Sequence, residues 1–175
     1  QALIGNRIGN RGFGHVGLIG EDGAIEVAAG GFSIEPFVRV GDTLVTWADA
    51  QIAQTLQDDY LPIPSVDWTH DALGLRVTGF ARGTPEDSQL VARYRLSNPG
   101  GEARDYQLAL AVRPMQVNPP TQFLNTIGGV SRIDSIGVGA CCVTAAGEET
   151  ASERASGTGD GTQPPRILRR ASWIS

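Results

Sequence analysis

Short runs in which apolar and polar residues alternate, cut repeatedly by Gly, Asp and Pro, constrain this chain more than any other feature. The clearest run is residues 90–97. There Leu90, Ala92, Tyr94 and Leu96 alternate with Val91, Arg93, Arg95 and Ser97. A period of two is the signature of a strand with one buried face. Asn98-Pro99-Gly100-Gly101 then writes a strong turn. Residues 106–112 answer with Tyr106, Leu108, Leu110 and Val112 on one face. The pattern predicts two antiparallel strands paired with each other.

The same grammar recurs upstream. Residues 16–19 and 24–28 flank Glu21-Asp22-Gly23 and predict a hairpin, since Asp-Gly tolerates positive φ. Residues 37–40 and 43–47 flank Gly41-Asp42 and predict another. Residues 48–57 suit helix or strand, and the alternation of Ala48, Ala50 and Ile52 with Asp49 and Gln51 leans to strand. Pro62 and Pro64 forbid helix over 61–64 and predict an extended connector or edge. Residues 66–69 and 75–82 read as strands, the latter with Leu75, Val77 and Gly79 on one face and Arg76, Thr78 and Phe80 on the other. Residues 132–138 are a last strand candidate. With no βαβ alternation, the expected fold is all-β, an antiparallel β-sandwich, over residues 1–140. Residues 143–165 are mostly Ala, Ser, Thr, Gly and Glu. Such a stretch buries too little to offset chain ordering, so 141–175 is expected to be a poorly structured tail.

Composition then removes function classes. The 175 residues carry a net charge of −5, which disfavours nucleic acid as a partner. No apolar run reaches the roughly 20 residues of a membrane span, so no membrane partner is expected. All 14 basic residues are Arg, which removes a lysine nucleophile, a Schiff base and a P-loop lysine. Cys141 and Cys142 are adjacent, a poor disulfide geometry, and read as ordinary thiols in preference to a vicinal redox pair. No disulfide framework asks for an oxidising compartment. No signal peptide follows Gln1, and location stays open with the cytoplasm favoured.

Few constellations carry chemistry. Gly12-Phe13-Gly14-His15-Val16-Gly17 matches G-x-G-x-x-G, but an Asp-Gly turn follows where a dinucleotide site needs a helix. His15 and His70 are the only histidines and lack metal-site spacing, so neither metal nor cofactor is expected. Asp58-Asp59 and Glu86-Asp87 are acid pairs in loops, where solvation is the ordinary role. No catalytic residue is assigned. Trp47 and Trp68 are candidates to stack on a sugar ring, and both also suit a strand core.

Two stretches carry a resemblance. One is Tyr60-Leu61-Pro62-Ile63-Pro64-Ser65-Val66-Asp67-Trp68. The other runs Arg113-Pro114-Met115-Gln116-Val117-Asn118-Pro119-Pro120 and on through Gln122-Phe123-Leu124-Asn125. Together they resemble the N-terminal region of large bacterial glycoside-hydrolase-like or discoidin (coagulation-factor-type) domain proteins. The hairpin over 17–26 is similar to the opening hairpin of glucoamylase-like enzymes. The resemblance covers residues 17–136. It implies a supersandwich of the galactose-mutarotase-like kind that precedes an (α/α)6 toroid. It also implies that the toroid carries the acid and base, and that this chain contributes a non-catalytic domain packed against it, bordering the sugar site. Trp47, Tyr60, Trp68, Asn118, Gln122 and Asn125 are the candidate carbohydrate contacts. The segment after residue 139 departs from the family pattern, as a truncated or frame-altered gene would produce. Two other readings stand beside this one: a self-standing carbohydrate-binding module using Trp47, Trp68 or Tyr60, and a small glycosidase acting alone. The latter needs two carboxylates within about 5–10 Å across a pocket.

Overall fold

The structure, a computed structural model, describes residues 6–8, 17–28, 30–83, 88–118, 129–139, 142–146 and 170–172. In chain order the strands are β1 (Asn6–Ile8), β2 (Gly17–Ile19), β3 (Ile25–Glu26), β4 (Ser33–Val40) and β5 (Thr43–Val45). A 3-10 turn, Trp47–Asp49, leads into β6 (Gln51–Gln57), β7 (Leu61–His70), β8 (Leu73–Gly83) and β9 (Ser88–Ser97). Then come β10 (Tyr106–Arg113), β11 (Ser135–Val138), β12 (Cys142–Ala146) and β13 (Arg170–Ser172).

Every pairing is antiparallel. One sheet runs β1-β2-β3-β4-β10, with β5 also on β4; a second runs β6-β7-β8-β9; a small third is β11-β12-β13. The expected all-β, sandwich-like architecture is present. The first two sheets meet at one core. Ile19, Ile25, Val38 and Val45 from the first pack with Val66, Trp68, Leu73, Leu75 and Val77 from the second. Register explains the choice of face. Val66 lies opposite Val77 and Trp68 opposite Leu75, so these side chains share the inner surface. Asp67 lies opposite Arg76 and Ser65 opposite Thr78, which places them on the outer one.

Both early hairpins form as expected. Leu18 pairs with Glu26, and Val40 with Thr43. Gly23 adopts φ of 86° and lies so close to the Trp68 indole that a Cβ there would stand 3.4 Å from its nitrogen. Residues 48–57 are a strand from Gln51 onward. Trp47 leaves the expected strand because Thr46 caps the 3-10 turn. Its hydroxyl accepts from the Ala48 amide, and Asp49 accepts from the Thr46 amide and hydroxyl.

Residues 61–64 form the extended edge that the prolines predict: they begin β7, and Pro64 pairs with Leu56 on β6. The pairing with β8 begins only at Ser65, so on that side both prolines escape a ladder that would need their missing N–H. The departure from the sequence reading is topological. β9 and β10 do not pair with each other. β9 pairs with β8, whereas β10 crosses to the other sheet and pairs with β4, Leu108 opposite Val38. Residues 98–105 span the gap of about 10 Å between packed sheets. The Tyr106 hydroxyl ties the crossing down by donating to the Ala72 carbonyl at 2.8 Å. In the segment from 141 onward, Cys142–Ala146 and Arg170–Ser172 are the short strands β12 and β13; its other residues lie outside the described ones.

Candidate functional site

The candidate contact residues scatter over the molecule. Trp68 is a correction: it is 1% exposed in the centre of the core, and its indole N–H donates to the Asp22 carbonyl at 3.0 Å. Both ring faces are taken by packing, so it cannot serve as a stacking platform for a sugar. Tyr60 is 76% exposed in the β6–β7 turn, and Trp47 is 46% exposed in the 3-10 turn. They sit at opposite ends of β6, whose seven residues span roughly 20 Å. One sugar ring cannot touch both. Gln122 and Asn125 lie outside the described residues.

Asn118 is buried at the end of a short ladder between 114–118 and 129–131. Met115 bridges Val130, the Gln116 amide donates to the Gly129 carbonyl at 2.7 Å, and the Ser131 amide to the Pro114 carbonyl at 3.0 Å. This ladder covers the outer surface of the first sheet beside β3. Leu18, Glu26 and Ser33 share that surface by register, and all three are buried. Glu26 is the residue the sequence reading missed. Its carboxylate accepts from the amides of Gly30 at 2.7 Å, Val117 at 2.8 Å and Asn118 at 3.2 Å. Burial pushes the Glu26 carboxyl up, against the three amides that pull it down. The only signal was a lone charge inside the apolar run 24–28. A carboxylate held this way clasps backbone, and none of its reach is left for a substrate.

Asp58 and Asp59 are the two central residues of the β6–β7 turn, both with positive φ. Glu86, Asp87 and His15 lie outside the described residues. The His70 Nδ1 accepts from the Ala72 amide in a turn. No group of three or more His, Cys, Asp or Glu side chains stands together as a metal site among the described residues. No helix there is long and apolar enough to cross a membrane.

Two shallow depressions mark the surface. One of about 250 Å³ is lined by Arg39, Gly41, Asp105 and Gln107. The other, about 360 Å³, is lined by Val112, Pro114, Ile133, Asp134, Ser135 and Ile136. Near the second, large apolar side chains face solvent. Val130 is 78% exposed and Val138 82%, and Met115 and Ile136 are also exposed.

The outer face of the β6-β7-β8-β9 sheet has a different chemistry. Arg76 lies opposite Arg95 and Arg93 opposite Thr78, while Arg82 donates to Gln89 at 3.0 Å. Among the described residues the one acid there, Asp67, takes both arms of Arg76 at 2.6 and 2.8 Å.

The fold and these surfaces define an antiparallel sandwich domain that exposes one apolar and one arginine-rich surface. No protein-family model, curated protein or solved structure matches the chain.

Proposed function

We propose that this chain is a non-catalytic β-sandwich domain of a carbohydrate-active protein. It works by contact, packing against a neighbouring helical toroid and bordering its sugar site. The observation that carries the reading is the exposure of Ile136 in the depression at Val112, Pro114 and Ile133, of Val138 further along β11, and of the bridged pair Met115 and Val130 next to Pro114 in the chain. Soluble domains rarely leave such side chains grouped in water, and exposed groups of them mark partner contacts. The resemblance of 17–136 to sandwiches that precede a toroid supplies the partner.

The coding DNA on either side of this chain tests the first part. A reading frame with long amphipathic helices supports it, and no such frame on either side overturns it. In the joined protein, amide hydrogens over 112–117 and 130–138 should exchange at least tenfold more slowly than in this chain alone. Unchanged exchange rejects this face as the contact. Sustained cleavage of a glycan by the purified chain would end the non-catalytic reading. The exposure of Tyr60 favours a second role, stacking on a sugar, which Tyr60→Ala should abolish without unfolding the domain.

A further inference from the structure

We infer that the outer face of the β6-β7-β8-β9 sheet binds a polyuronate, an anionic linear polysaccharide, through Arg93 and Arg95. The inference deepens the carbohydrate reading above and rests on it. It starts from a charge imbalance. The whole chain is acidic at −5, yet among the described residues this face gathers Arg76, Arg82, Arg93 and Arg95 against the single carboxylate of Asp67. Asp67 is already spent on Arg76 in a two-armed pair. Arg93 and Arg95 are exposed and have no acidic partner among the described residues.

The register makes the arrangement costly to the protein by itself. Arg95 stands directly across from Arg76, and like charges facing each other across strands destabilise a sheet. Asp67 offsets Arg76 alone, and an anion laid over Arg95 and Arg93 relieves the repulsion that remains. Spacing suits a ligand that runs along β9: Arg93 and Arg95 lie about 6.8 Å apart, and β8 and β9 about 4.8 Å apart. The planar guanidinium fork matches a carboxylate in two-armed fashion. The half-buried Ser65 hydroxyl, bonded to the buried Thr78 hydroxyl at 2.8 Å, is a polar group on the same face. Two facts favour a polyuronate over a nucleic acid. The one aromatic ring among the face's described residues, Phe80, is half-buried, so unpaired bases find a poor stacking platform. A polyuronate carries one charge per sugar, far sparser than the duplex's one per roughly 1.7 Å, and so is repelled less by an acidic protein.

Affinity electrophoresis of the chain decides the matter, with polygalacturonate, a neutral β-glucan or single-stranded DNA in the gel. Polygalacturonate should retard the protein, and added salt should weaken the retardation. Arg93→Ser with Arg95→Ser should raise the dissociation constant at least tenfold, while Arg39→Ser, on the other sheet, leaves it unchanged. Circular dichroism checks that each variant folds. Should the serine pair misfold, Arg93→Lys with Arg95→Lys keeps the charge and should still weaken binding several-fold. Equal retardation by the neutral glucan overturns the arginine assignment and leaves a carbohydrate role with Tyr60 and Trp47. Tighter retention by DNA overturns it in favour of a nucleic acid. No retardation in any gel, or none lost in the variants, also overturns it. The packing role is then decided separately by the exchange experiment above.

Discussion

Trp68 and Glu26 show how the same burial serves opposite chemistries. Trp68 fills the centre between the sheets and finds a partner for its one polar atom in the Asp22 carbonyl. Trp68→Ala should cost about 3–5 kcal/mol in urea unfolding, the range for removing a large buried aromatic. Glu26 has no apolar contribution to make. It holds the covering ladder in place through three backbone amides. Glu26→Gln puts an amide NH2 where an acceptor is needed, leaving at least one buried N–H unpaired, and should cost about 1–3 kcal/mol. The pH dependence has a definite sign. The folded carboxyl titrates above its ordinary value of 4.5, so the native state keeps that proton to higher pH than the unfolded chain does. The contribution of Glu26 to stability is greatest at acidic pH. It falls as the pH rises from the unfolded value through the raised folded one. Unfolding measured across that window should show wild type losing stability relative to Glu26→Gln as the pH increases. An unchanged difference rejects this account.

At the scale of the element, the β6–β7 turn is the strained one. Asp58 and Asp59 have φ of 52° and 65°, and the Tyr60 amide closes the turn on the Gln57 carbonyl at 3.3 Å. Both central residues therefore occupy a conformation that glycine adopts without steric cost. Aspartate tolerates it better than most side chains. Asp59→Gly should raise stability by about 0.5 kcal/mol, the steric relief exceeding the added freedom of the unfolded chain. Asp59→Val should lower it by about 1–2 kcal/mol. Urea midpoints distinguish the two, and a midpoint that rises for valine would contradict the strain argument. The outer face of β8 and β9 belongs to the same scale. The alternation of Arg93 and Arg95 with Leu90, Ala92, Tyr94 and Leu96 was legible in the sequence. That Arg95 stands across from Arg76 was not, because register depends on which strand becomes the neighbour.

For the whole molecule, the sandwich predicts a gradient of protection. β7 and β8 are interior strands of their sheet and supply Val66, Trp68, Leu73, Leu75 and Val77 to the core. Their amides should exchange last, at the rate of global unfolding, while those of the exposed β11 exchange first. Uniform exchange over all strands would contradict a single core between the two sheets. Much of this architecture could be read from the chain alone. Alternation reports a strand and its buried face directly, since side chains of successive residues point to opposite sides. Gly, Asp and Pro mark where strands stop. The early hairpins and the inward faces of 75–82 and 90–97 followed from those local rules. Local rules contain no information about the partner of an edge, however. Asn98-Pro99-Gly100-Gly101 turns the chain equally well into a hairpin or across to the other sheet. Only the competition for the β4 edge, with Leu108 settling opposite Val38, decided for the crossing. The same holds for Trp68, Glu26 and the opposed arginines. Residue type and spacing determined that each sits on a strand. Long-range packing alone decided that the first is core, the second a clasp, and the third a concentrated positive face, because burial and charge density are sums over neighbours distant in sequence.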